Sequence, residues 1–154
     1  MSTATEQEFV WSDALLLGYG PMDDTHREFV ETVLAMQSAS DDGFAAALDA
    51  FIEHAERHFS EEADWMRSTG FPATDCHIDE HNAVLKSLYE VKEHLAKGGN
   101  PEAGRRLTAE LMRWFPGHAD YMDASLAQWM VKKRTGGTPV VLRRGIVKNE
   151  DGGN

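Results

Sequence analysis

Seven side chains of this 154-residue chain are of the kinds that hold iron, zinc or manganese: His26, then His58 and Glu62, then His77 and His81, then His118 and Asp123. His58 and Glu62 stand four residues apart, as do His77 and His81. On a helix that spacing puts both members of a pair on one face, a turn from each other. His118 and Asp123 are five apart, and an ideal helix would carry them about 140° out of line. They converge only if the helix is irregular between them, for example through a single wide turn. Pro116 and Gly117 lie just upstream. Taken singly, each group has a plain reading as a core histidine with a hydrogen bond or as a surface contact. Taken together they describe one two-metal site inside a four-helix bundle. Four separate stretches contribute, and only His54 and His94 of the seven histidines are left over. His54 shares a face with His58, but Glu62 lies four residues from His58 and eight from His54, which selects His58.

The elements that must position these groups follow from apolar periodicity and from Gly and Pro punctuation. A first helix is expected from about Met22 to Ser38, carrying Phe29, Val30, Val33, Leu34 and Met36. A second is expected from about Gly43 to Ser68 and ends at Gly70-Phe71-Pro72. A third runs from about Thr74, with Thr74 or Asp75 as its cap, to Lys97. A fourth spans about Pro101 to Arg134, and Pro116 should kink or interrupt it just before His118. Short connections between long amphipathic helices favour antiparallel neighbours. The expected fold is therefore all-α: an up-down-up-down antiparallel four-helix bundle over residues 22–134, an N-terminal arm over 1–21 and a C-terminal tail over 135–154. The arm carries Phe9, Trp11 and Leu15-Leu16-Leu17, so it should pack on the body, and its glycines and proline argue against a helix. The tail has two apolar patches, Val140-Val141-Leu142 and Ile146-Val147, around Arg143-Arg144. It reads either as a frayed end or as a strand-like arm lying on the bundle or on a protein partner.

Bulk composition narrows the classes. Hydrophobic residues make up 42% of the chain, enough for one domain with a sizeable core, and the single cysteine, Cys76, rules out an internal disulfide. The formal charge is -11. Residues 1–133 hold 11 basic and 24 acidic side chains, a net of -13, and residues 134–154 a net of +2. An acidic body repels phosphate backbones, so nucleic acid is not an expected partner. The polar start, MSTATEQEFV, has no charged-then-apolar leader, and no apolar run approaches a membrane span. The expectation is a cytoplasmic protein without a membrane partner, a monomer or small homo-oligomer.

The series His26, His58-x-x-x-Glu62, His77-x-x-x-His81 and His118-x-x-x-x-Asp123 resembles the hemerythrin family, in particular its single-domain bacterial members. Local context agrees: Trp11 and Gly18 upstream, Met22-Asp23 before His26, His58-Phe59 with Glu61-Glu62, Phe71-Pro72 ahead of His77, and Trp114 before His118. The resemblance covers roughly residues 9–130. Thr25, Phe115-Pro116-Gly117 and the tail depart from the family's usual pattern. The resemblance implies a non-haem di-iron centre, oxo- or hydroxo-bridged, that binds molecular oxygen reversibly, and a binding protein rather than an enzyme. It implies that His77, His81 and His118 hold one iron, that His26 and His58 hold the other, and that Glu62 and Asp123 bridge the two. Two octahedral irons offer twelve positions, of which these ligands and one bridging oxygen fill eleven. The open position then lies on the iron with two histidines. Phe29, Phe59 and Trp114 are candidates for an apolar pocket wall.

The task within that chemistry is read first as oxygen storage or delivery, with sensing through a partner as the alternative. A rival from another class is a zinc peptidase, because His77-Ile78-Asp79-Glu80-His81 fits the H-x-x-E-H pattern with Glu80 as general base. That reading leaves His26, His58, His118 and Asp123 without a role. Carboxylate-rich di-iron oxidases use Glu-x-x-His pairs, and none occurs in this chain.

Overall fold

The computed structural model describes residues 9–135. The tail's apolar patches, between Pro139 and Lys148, lie outside the described residues. Helices α1 (Gly20–Ser38), α2 (Asp41–Thr69), α3 (Thr74–Ala96) and α4 (Glu102–His118) follow one another through short connections. A five-residue π turn, Ala119–Asp123, joins α4 to α5 (Ala124–Thr135), so the fourth limb of the bundle is one long rod with a single wide turn in it. The helix α1 packs on α2 and α4, α2 on α3, and α3 on α4, which closes the four-membered ring of an up-and-down bundle. Among the described residues, no helix is long and apolar enough to cross a membrane.

Local chemistry explains the boundaries. Ser40 caps α2, its Oγ accepting the Gly43 N–H at 3.1 Å, and Asp41 and Asp42 in the first turn face the positive end of the helix dipole. At the other end Gly70 takes the left-handed conformation, φ 70°, that a side chain would resist. There the Phe71 N–H returns to the Met66 carbonyl and the Gly70 N–H to that of Arg67, a Schellman ending sealed by contact between Phe71 and Met66 in one apolar cluster. The start of α1 differs from expectation. Gly20 and Pro21 lie inside its first turn, where proline's missing N–H has no helical partner to lose. At α3 the cap position is Ala73; Thr74 and Asp75 are the first helical residues, and Asp75 acts on the dipole instead. Pro116 neither ends nor interrupts α4. It sits on the exposed side, where losing one backbone hydrogen bond is least costly, and the irregularity appears three residues later as the π turn.

The arm packs as its composition suggests. Phe9, Trp11 and Leu15 lie against the core, with Phe9 edge-on to Phe115 at 6.3 Å between ring centres. A single 3-10 turn spans Asp13–Leu15. Asp23, in the first turn of α1, then anchors the chain: its two carboxylate oxygens accept the Leu17 N–H at 2.8 Å and the Gly18 N–H at 3.1 Å.

The core comes in two apolar clusters along the bundle. One contains Phe29, Val33, Phe51, Phe59, Leu88, Leu111 and Phe115; the other contains Tyr19, Met22, Met66, Phe71, Leu126 and Ala127. On α1, α2 and the fourth limb alike, at least one candidate ligand falls between a member of one cluster and a member of the other. His26 lies between Met22 and Phe29, Glu62 between Phe59 and Met66, and His118 and Asp123 between Phe115 and Leu126. Replacing Asp23 by Ala removes the acceptor of both arm hydrogen bonds and is expected to destabilise the fold by about 1–3 kcal/mol. The check is a denaturant melt, together with faster hydrogen exchange confined to the Leu17 and Gly18 amides.

Candidate metal centre

The seven residues predicted from the sequence meet in one polar layer between the two apolar clusters. None is more than 5% exposed. Each carboxylate divides its oxygens between two sets of histidines. Asp123 Oδ1 lies 2.9 Å from His77 Nε2 and 3.1 Å from His118 Nε2, while its Oδ2 lies 3.0 Å from His26 Nε2. Glu62 Oε1 lies 3.4 Å from His81 Nε2 and 3.5 Å from His77 Nε2, while its Oε2 lies 3.0 Å from His58 Nε2 and 3.8 Å from His26 Nε2. His81 and His118 close the first set, Nε2 to Nε2, at 3.1 Å. Two clusters able to hold a metal result: Glu62, His77, His81, His118 and Asp123 in one, His26, His58 and Glu62 in the other.

The step from His118 to Asp123 is the one that an ideal helix forbids. In the π turn the Ala124 N–H reaches back five residues to the Ala119 carbonyl. Bonds of that reach bring residues five apart into line. The irregularity that the spacing requires is therefore present, and it turns His118 and Asp123 onto one another.

These residues fit metal ions on two physical grounds. Ligand atoms about 2.1 Å from a shared octahedral ion stand about 3.0 Å from their cis neighbours. The contacts of Asp123 with His26, His77 and His118, of Glu62 with His58 and of His81 with His118 are 2.9–3.1 Å, and the other Glu62 contacts are longer, 3.4–3.8 Å. The same atoms make poor hydrogen-bond partners for one another: His26 Nε2, His77 Nε2, Glu62 Oε1 and both Asp123 oxygens are buried without a hydrogen bond of good geometry. Buried polar atoms left in that condition are costly, and a cation held in each set would give them partners.

Contacts behind the ligands were only partly legible beforehand. Phe59 stacks face-on to His81 at 3.9 Å and 8° between ring planes, and Trp114 stacks on His118 at 4.3 Å and 24°. Phe29 stands edge-on to His58 at 6.2 Å and stacks on Phe115, and Phe115, absent from the sequence-based candidates, stands edge-on to His26 at 5.1 Å. Glu80 accepts a hydrogen bond from His118 Nδ1. His54, excluded as a ligand by its distance in sequence from Glu62, is buried with its Nε2 at 3.3 Å from His58 Nδ1. The signal for His54 was there in the four-residue step to His58. None existed for Glu80 or Phe115, whose partners lie on other helices or far along the chain. His94, the other histidine left over, is exposed.

Without metal, protons must take the place of the ions. Burial opposes charging of His26, but the Asp123 and Glu62 carboxylates outweigh it and push its pKa up to about 10. His77 behaves alike and rises to about 9, and His118 is raised by Asp123 and Glu80 against burial. Burial dominates at His81, which falls to about 3, and at His54, which falls to about 4. Burial also works against the charged forms of Glu62 and Asp123, yet the facing histidines hold both well below the ordinary carboxylate range.

A histidine whose pKa is raised by folding stabilises the fold fully below its ordinary value of 6.5, and that contribution vanishes as the pH climbs through the folded value. The metal-free protein should therefore lose stability progressively from about pH 6.5 to about pH 10. Melting temperature against pH checks this, and a flat profile would mean that the histidines are neutral in the metal-free fold. Metal ions compete for the same nitrogens, so loading should release protons and flatten the slope.

Comparison with known proteins agrees with the geometry. The hemerythrin HHE cation binding domain profile matches residues 17–130. A protein named bacteriohemerythrin from Ralstonia nicotianae is 42% identical over 123 residues, covering 80% of this chain and 89% of its own length. A bacteriohemerythrin from Stenotrophomonas maltophilia is 25% identical, covering 83% and 90%. A crystal structure of wild-type hemerythrin superposes with a TM-score of 0.64 at 20% identity, covering 77% of this chain and 94% of that one, a likeness of fold. The profile match takes in the helices that carry all seven clustered residues, and the chain belongs to the hemerythrin HHE cation-binding family.

Proposed function

We propose that this protein holds two iron ions bridged by an oxo or hydroxo group and binds molecular oxygen reversibly, as a store or a carrier. The observation that carries the reading is the split of each carboxylate between two histidine sets, because a bridging carboxylate needs one oxygen for each ion. In this reading His77, His81 and His118 hold the first iron, His26 and His58 the second, and Glu62 and Asp123 link them. Bound iron supplies the electrons and the open coordination position that oxygen binding requires. Everything else is the work of the chain. The histidines present neutral nitrogen donors, the two apolar clusters keep bulk water from the layer, and the rings of Phe59, Trp114 and Phe115 fix the orientation of His81, His118 and His26. The side with fewer protein ligands is that of His26 and His58, so oxygen is assigned there.

The peptidase alternative needs Glu80 free to act on a water. Its carboxylate is engaged by His118 Nδ1, a contact that supports an orienting role instead. The sensing alternative would use the same centre, and no observation favours it over storage or delivery.

The test is metal content with an absorption spectrum recorded before and after oxygen is removed. About two irons per chain and a reversible near-ultraviolet change are expected; one zinc, or a spectrum indifferent to oxygen, would overturn the reading. His118→Ala should lose most of the oxygen-dependent absorption, whereas His94→Ala, at an exposed position of α3, should retain it.

A further inference from the structure

His54 has both of its ring nitrogens aimed at neighbours that matter to one side of the centre. Its Nε2 meets His58 Nδ1 at 3.3 Å with hydrogen-bond geometry. Its Nδ1 stands 3.2 Å from Glu28 Oε1, a short contact to a charged group although off the line of the ring N–H. Glu28 in turn receives both terminal nitrogens of Arg57, one on each oxygen, at 3.2 Å each. The His54 ring has little room to swing, with Phe51 at 5.9 Å and Phe29 at 6.0 Å between ring centres.

Tautomer logic gives this chain of contacts a direction. If His58 offers Nε2 to the centre, its one proton must sit on Nδ1, so the group behind it must accept. His54 Nε2 then accepts, which leaves the His54 proton on Nδ1, facing the Glu28 carboxylate. The sequence of contacts is self-consistent in that sense and inconsistent in the reverse one, because Glu28 can only accept when ionised. It also ties together two helices: Glu28 is two residues from His26 on α1, and His54 and Arg57 precede His58 on α2 by four residues and by one.

We propose that His54 and Glu28 are positioning residues for the two-histidine side of the centre, holding the His58 ring with Nε2 turned inward and keeping α1 and α2 in register. The assignment rests on the two-iron reading above. It makes the two sides unequal, because the three-histidine side is braced separately, by Glu80 on His118. Loss of such a brace typically weakens metal affinity about 10–100-fold. Here that loss should fall on one of the two ions.

The test loads the full chain anaerobically with ferrous iron and follows its release to a ferrous chelator. His54→Phe keeps the ring volume among Phe29 and Phe51 while removing both nitrogens. Its second ion should bind about 10–100-fold more weakly, with the first ion unchanged. His54→Gln, whose amide oxygen can still accept from His58, and Glu28→Gln, which keeps an acceptor without the charge, should fall between that variant and the wild type. Melting of the metal-free variants monitors the fold. Release of both ions as in the wild type would overturn the assignment, and so would equal weakening of both ions alongside a lowered melting temperature, since that marks a role in folding alone. A wild type that takes up fewer than two ions would overturn the two-iron reading and this assignment with it.

Discussion

Two buried carboxylates set the terms for this structure. Glu62 and Asp123 lie in the middle of a helical bundle with almost no access to water. A lone ionised carboxylate there would be prohibitively unstable, and even a paired one gains little beyond its desolvation penalty. Both are tolerated because five imidazole rings converge on them, each oxygen facing at least one ring nitrogen. The same constraint explains why the layer reads as a cation site. Whatever fills it, ions or protons, must bring positive charge, and the raised pKa values of His26 and His77 express that demand in the metal-free fold.

The backbone yields to this layer at one place. Three limbs of the bundle deliver their ligands from regular helix, through a single residue on α1 or through pairs four apart on α2 and α3. The fourth limb has to present two residues five apart, and it widens into a π turn to do so. Such turns interrupt the regular bonding ladder, are rare, and are frequently found at functional sites. Its position from Ala119 to Asp123, rather than at Pro116, shows which demand shapes the rod. Proline removes one N–H on the exposed side, where water can compensate; the buried Asp123 has no such freedom.

The legible part of the fold and site was the part encoded by short spacings. Steps of four placed His58 with Glu62 and His77 with His81, and the step of five from His118 to Asp123 required an irregular turn if the two were to converge. Helix ends written in Gly, Pro and Ser were legible to within a few residues, and the misreadings at Gly20, Pro21 and Thr74 were of cap positions. What stayed hidden were contacts between helices: Glu80 on His118, Glu28 on His54, Phe115 against His26. Each depends on the relative rotation and height of two helices, and no local pattern encodes that.

The aromatic residues near the ligands show why a choice between core packing and site architecture is a false one here. Phe59 packs with the large apolar cluster and lies flat on His81; Trp114 packs at the edge of that cluster and lies flat on His118. The apolar contact that stabilises the bundle is the same contact that holds an imidazole ring at a fixed angle. Face-to-face packing leaves the ring edges, where the nitrogens are, free to point inward and outward. The inward nitrogens meet Glu62 and Asp123. Of the outward ones, His118 Nδ1 meets Glu80 and His58 Nδ1 meets His54. A substitution that loosened the core at Phe59 would therefore disturb the polar layer through geometry alone, without touching a single charged group. Stability and site geometry are carried by one set of contacts because the site lies between the two halves of the core.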